Sequence, residues 1–229
     1  MNKKKIIIAI FIAIASIAII ACVGAFLLDT SGKINQGNFR VNDLVVESTL
    51  EVIEQENQEV KDLESLVFDI SQNNKITMLV ANQAEAKSIY IDNISITNPI
   101  QLGKFYLTQN NYEQQFDIAN IGSQINIYPA LSNGQYRIEL NIKNEQCMKD
   151  VKVSSGTKSI RYDGTILSLI NTKVSDLRFD LSFDLNMIDI SGKKNVCSVK
   201  LSMPDDELLT NGISVLRKNV NDFIFTIKD

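Results

Sequence analysis

Two short stretches carry a serine and a lysine three residues apart: Ser155-Gly156-Thr157-Lys158 and Ser191-Gly192-Lys193-Lys194. On one turn of a helix that spacing lets the amine take the hydroxyl proton, as in penicillin-binding enzymes. Both stretches contain glycine, and neither K-T-G nor S-D-N accompanies them. Both are therefore expected to be turns between strands. Asp180 and Asp184 lie four residues apart. In a strand that separates them by about 13 Å, too far for two carboxylates to share a glycosidic bond. They read as solvated strand positions, with Lys200 as a cross-strand partner. Asp205, Asp206 and Glu207 follow Pro204. Such oxygen-rich loops can hold calcium, but EF-hand spacing is absent and a solvated turn is expected.

The missing residue types exclude more than the present ones suggest. The chain of 229 residues contains no histidine and no tryptophan. Without histidine there is no Ser-His-Asp or Cys-His arrangement, no HExxH zinc site and no histidine phosphorelay. Without tryptophan a sugar-stacking site would depend on tyrosine. No catalytic set, cofactor site or metal site is expected. An enzyme that works with serine-lysine or carboxylate chemistry is the weaker alternative.

Cysteine occurs at positions 22, 147 and 197. Cys197 alternates with Val199, Leu201 and Met203, and Cys147 is in phase with Val151 and Val153, so both are expected to face a core. Cys147 and Cys197 form a candidate disulfide, since an exported compartment permits one. Ile19-Ile20-Ala21-Cys22 resembles a bacterial lipobox, which makes Cys22 a candidate lipidation site. The apolar run continues through Leu28, however, where lipoproteins turn polar.

That run sets the location of everything else. Residues 6–28 carry no charge and follow Lys3, Lys4 and Lys5. As a helix they reach about 34 Å, enough for a hydrocarbon core about 30 Å thick. The lysines place residues 1–5 as a basic cytoplasmic flank, residues 6–28 as a single membrane span and the remainder outside the cytoplasm. A cleaved signal peptide and a lipoprotein are the alternatives. Three of the 23 Lys and Arg residues precede the span, so the remainder sets 20 basic against 27 acidic groups, a net of −7. Taken over the whole remainder, such a balance leaves no footprint for nucleic acid or for an anionic surface.

Residues 29–42 hold few apolar side chains and read as a stalk linker. Residues 43–59 fit neither period cleanly and are read as a strand and a loop, with an acidic helix as the alternative. From residue 66 the pattern is all-β. Residues 75–80 and 88–97 are β-branched, and the phase break at Asp92-Asn93 predicts a bulge. Asn133-Gly134 predicts a turn, followed by a strand through Tyr136, Ile138, Leu140 and Ile142. Leu177, Phe179, Leu181, Phe183, Leu185 and Met187 alternate with polar residues, and residues 197–203 return as the partner strand until Pro204. Phe223, Phe225 and Ile227 predict a last strand. Roughly fifteen short strands give an all-β class: antiparallel β-sandwich, divided into two immunoglobulin-like domains at 43–145 and 146–229. One larger jelly-roll-like sandwich is the alternative.

Residues 24–39 (GAFLLDTSGKINQGNF), after the three lysines and the apolar core, loosely resemble the leader junction of TasA-type biofilm-fibre and camelysin proteins. The likeness is confined to residues 1–39. Leu27 and Leu28 depart from the aromatic and small or polar residues of that pattern. The resemblance implies a processed β-sandwich fibre subunit.

The residues themselves lead to a non-catalytic, single-pass, membrane-anchored protein of the bacterial cell envelope. Its extracytoplasmic β-structure would contact an envelope or surface protein, and residues 6–28 would contact membrane lipid.

Overall fold

The computed structural model describes residues 37–55, 63–97, 104–109, 112–118 and 124–228. The basic flank, the expected span over 6–28, Cys22 and most of the 29–42 linker lie outside the described residues. Among the described residues no helix is long and apolar enough to cross a membrane.

Alternation of apolar and polar residues produces the longer strands. These are β1 (Phe39–Glu54), β2 (Val67–Asn82), β3 (Ala86–Thr97), β4 (Lys104–Gln109), β5 (Tyr112–Asp117) and β6 (Ile125–Asn126). They continue with β7 (Ala130–Ser132), β8 (Gln135–Lys152), β9 (Phe179–Asp189), β10 (Lys194–Met203), β11 (Ile213–Arg217) and β12 (Thr226–Lys228). Among the described residues two short α-helices, α1 (Ile166–Leu169) and α2 (Glu207–Asn211), accompany them. Among the described residues there are twelve strands, several of them longer than the period-two reading suggested. Over 43–54 a strand stands where the acidic helix was weighed, because β1 runs through to Glu54; residues 56–59 lie outside the described residues.

The strands form two antiparallel sheets. One has seven strands in the order β11-β1-β2-β8-β4-β5, with β7 also paired to β8; the other has five, β12-β10-β9-β3-β6. Their inner faces meet in one core. Val46, Ile76 and Leu140 of the larger sheet share it with Ile91, Phe183, Leu185 and Val199 of the smaller. The result is β-sandwich-like. β9 and β10 pair along their whole length, with Phe183 opposite Val199 and Leu181 opposite Leu201. Asn133 and Gly134 both have positive φ, 50° and 71°, as a tight hairpin turn into β8 requires.

Two sequence boundaries fall elsewhere in the structure. The expected division between 145 and 146 lies inside β8, and each sheet takes strands from both sides of it. Tandem domains would keep their sheets separate; here residues 37–229 form one compact unit. The stalk reading of 29–42 also ends too late. Phe39 and Val41 are buried, and a register shift between Val41 and Asp43 carries their phase into Leu44 and Val46. That irregularity hid the strand from a strict period-two count.

A second cluster packs beneath the loop after β8. It holds Leu50, Phe68, Ile70, Cys147, Val153, Ile166, Leu167, Val174, Leu177 and Leu208. Cys147 belongs to this cluster and Cys197 to the first, and both thiols are free and buried. The candidate disulfide is therefore not formed: two strands that each point a cysteine inward need not point them at one another. Burial pushes both thiols up to about 12.

Candidate functional site

The outer face of the seven-stranded sheet is polar because alternate residues of β1, β2, β8 and β4 turn away from the core. Register sets them in rows. Glu47 lies opposite Lys75, Lys75 opposite Asn141 and Asn141 opposite Thr108. In the next row Thr49 faces Asn73, Asn73 faces Lys143 and Lys143 faces Tyr106. These rows line an open groove of about 410 Å³, with Glu145 at one side. Lys143 Nζ meets Glu51 Oε2 at 2.9 Å. Glu139 receives Arg137 Nη2 at 2.7 Å and Lys75 Nζ at 3.4 Å. Burial alone would raise the Glu139 carboxyl, but the Arg137 bond and the Lys75 charge outweigh it and hold it below the ordinary carboxylate range. The face thus carries charged groups of both signs among neutral hydrogen-bonding side chains.

A second surface is the free side of β10. β9 pairs with it throughout, whereas β12 covers only Lys194, Asn195 and Val196. Among the described residues no other strand pairs with 197–203. That side of β10 therefore has no strand partner beyond Val196 among the described residues. Ser198, Lys200 and Ser202 are exposed there.

The sequence-predicted groups fall as follows. Ser155 to Lys158 form a turn after β8, with Gly156 at φ 82°, so no helix aligns the serine with the lysine. Ser191 is likewise in a turn, and its Oγ donates to Asp189 Oδ1 at 2.6 Å. The Ser191 hydroxyl, joined by backbone N–H groups of Lys193 and Ser191 and by Asn38, holds the Asp189 carboxyl below its ordinary value. Asp189 thereby organises the β9–β10 turn.

Asp92 and Asp184 face one another in the register of β3 and β9, and the bulge follows between Asp92 and Ser95. Asn93 stands at φ 52° and donates to Asp184 Oδ2 at 2.8 Å. Asn186 Nδ2 donates to Asp92 Oδ1 at 2.8 Å, and Ser198 Oγ donates to Asp184 Oδ1 at 2.5 Å. Lys194 sits 5.5 Å from the Tyr90 ring. A hydrogen bond with Tyr90, then the nearby Asp92 and Asp184 charges, raises its pKa above the usual lysine value. Lys200 is opposite Ser182 and Asp180 is opposite Ser202, so Lys200 is diagonal to Asp180.

Asp205 Oδ1 accepts from Ser214 Oγ at 2.7 Å and from Glu207 N at 3.0 Å, and Asp206 pairs with Arg178 at 3.0 Å. The acidic triplet thus starts α2. No group of three or more His, Cys, Asp or Glu among the described residues could hold a metal ion.

Sequence reading missed a polar row on the inner face. Ser48 Oγ donates to Asn74 Oδ1 at 2.7 Å, and Gln72 Nε2 donates to the same atom at 3.0 Å. Asn74 Nδ2 donates to the Ile142 carbonyl at 3.2 Å. Gln72 Oε1 and both amide atoms of Asn144 are buried without a partner. This row lies where the first core cluster gives way to the second. The signal was present: Gln72 and Asn74 keep the phase of Ile70 and Ile76, and Asn144 keeps that of Ile142.

Comparison with known protein families, curated proteins and solved structures finds no match to this chain, so its function must be argued from its own residues.

Proposed function

We propose that this chain is a non-catalytic protein of the bacterial cell envelope. A single membrane span over residues 6–28 holds it, and an extracytoplasmic, immunoglobulin-like β-sandwich makes protein contacts. The observation that carries the reading is the free side of β10 over 197–203, to which a partner can add an extended segment. The uncharged run after Lys3, Lys4 and Lys5 supports the anchor, and the absence of histidine supports the lack of catalysis. A photo-crosslinking residue at Ser198 or Lys200 should capture a protein in cells, whereas one at Glu47 should capture less. Hydrolase activity lost on changing Ser155 or Lys158 would refute the reading.

The resemblance at residues 24–39 favours a second reading, an exported subunit cleaved near Ala25 that assembles into fibres. The mass and amino-terminal sequence of the protein recovered from membranes separate the two. A chain that begins at Met1 fits the anchor; one that begins near Phe26 and is released fits the fibre.

A further inference from the structure

The first residues of the body are pinned at one end of the sandwich. Gly37 N donates to the Phe225 carbonyl at 2.9 Å, Asn38 N donates to Asn195 Oδ1 at 2.9 Å and Asn38 Nδ2 donates to Asp189 Oδ2 at 2.7 Å. A Cβ at residue 37 would run into the Asn195 side chain, so glycine lets the chain pass there.

The same end collects several turns. Gln83 N donates to the Asn38 carbonyl, which brings the β2–β3 turn to Gly37. Asp189 is opposite Ala86, which brings the β9–β10 turn beside it. The β7–β8 turn joins them, because Phe39 lies opposite Asn82 in β1–β2 and Ala81 opposite Gln135 in β2–β8.

This end is unusually apolar for a set of turns. Ile190 is 69% exposed, and Leu131 and Tyr128 are each 59% exposed, three of seven large apolar side chains exposed among the described residues. Ile190 N donates to the Glu85 carbonyl, Ala86 N donates to Tyr136 Oη, and Leu131 lies opposite Tyr136. Ile190 and Leu131 are thus linked through a short chain of neighbours. Two exposed lysines, Lys87 and Lys193, stand at this end with one exposed carboxylate, Glu85. Exposed apolar tips flanked by lysines suit a lipid headgroup layer.

Single exposed apolar side chains are ordinary; their position relative to the tether makes these informative. Eight residues, 29–36, separate the apolar run from Gly37. Fully extended they span at most about 29 Å. β8 alone runs 18 residues, about 60 Å at strand spacing. A tether of eight residues holds residue 37 close to the end of the apolar run, and that closeness is what singles out the Gly37 end.

We propose that the end of the body formed by the β2–β3, β7–β8 and β9–β10 turns docks on the bilayer that anchors the chain, with Ile190 and Leu131 entering the headgroup layer. The proposal rests on the anchor reading given above.

The chain has no tryptophan, so one introduced indole reports its own surroundings. Full-length Ile190→Trp, Leu131→Trp and, at the opposite end, Tyr162→Trp would be reconstituted into phosphatidylglycerol–phosphatidylcholine vesicles with or without brominated acyl chains. Ile190→Trp and Leu131→Trp should emit at shorter wavelength than Tyr162→Trp and be quenched by the brominated lipid. Tyr162→Trp should not be quenched. Leu131→Trp keeps the test decisive if Ile190→Trp folds poorly. Equal, weak quenching at both ends in chains that float with the vesicles would overturn the docking and leave the anchor standing. A blue shift without bromine quenching means that protein covers the tips, and would also overturn it. Chains that fail to float with the vesicles would refute the anchor and the docking together.

Discussion

Replacing Asn144 with leucine should stabilise the body, although it removes a polar residue from a β-strand. Asn144 is fully buried, and neither its Oδ1 nor its Nδ2 has a partner. An unsatisfied buried polar group costs about 1–3 kcal/mol. Two methyl groups in place of the amide atoms contribute about 1.6 kcal/mol of burial. The larger side chain costs about 1–3 kcal/mol in overpacking. The net expectation for Asn144→Leu is a gain of about 1–2 kcal/mol. For a domain of this size that is roughly 2–8 °C in Tm. Asn74→Leu is the paired control. Asn74 accepts from Ser48 and Gln72 and donates to Ile142, so its loss strands those groups and should cost about 2–4 kcal/mol. Urea unfolding of residues 37–229 at pH 7 measures both. Opposite signs for two asparagines of one polar row would support the reasoning. A loss at Asn144→Leu as large as that at Asn74→Leu would refute it, because the Asn144 amide would then be satisfied in solution, as by ordered water.

Three further outcomes are expected. The Glu139 carboxyl is held below its ordinary value in the folded state. Its stabilisation is therefore complete above the unfolded value of about 4.3 and disappears as pH falls through the lower folded value. Glu139→Gln should flatten that acid limb in urea melts taken across pH and cost less than about 1 kcal/mol at neutral pH. The thiols of Cys147 and Cys197, both pushed up to about 12, should resist a thiol-reactive dye at pH 8 in the folded body and react in denaturant without prior reduction. Gly212 sits at φ 77°, where an added Cβ would meet the Asp163 carboxylate. Gly212→Ala should lower stability by about 1–3 kcal/mol, read from the urea midpoint.

What was legible in the sequence follows from what a period can carry. β9 and β10 were visible because Phe179 to Met187 and Cys197 to Met203 turn an apolar side chain inward at every second position, and the Asp92-Asn93 bulge was visible because Ile89 and Ile91 fall out of phase with Ile94 and Ile96. The turns at Asn133-Gly134 and Gly192 followed from residue types that tolerate positive φ. β1 was obscured by its register shift after Val41. The polar inner row was obscured because Gln72, Asn74 and Asn144 occupy core positions where period counting expects apolar groups. The single body was obscured for a different reason. A pairing such as Val45 with Arg217 leaves no local trace, and halves of equal strand content read as two domains. The outer groove was no more visible, since its rows exist only once β1, β2, β8 and β4 are in register.

The order β11-β1-β2 has a consequence for the timing of folding. β1 is made first, yet the strand that completes its outer side, β11, is among the last to be made. β12, made last of all, pairs with β10 beside the Phe225 carbonyl that fixes Gly37. Neither sheet can close until nearly the whole chain is present, and pairings so distant in sequence form slowly. Whatever part of the chain emerges first, β1 therefore waits for β11 and β10 for β12, and the body is complete only once both have been made. Shortening the chain by a dozen residues at its carboxyl end would leave β1 properly made but β12 absent and Gly37 unfastened.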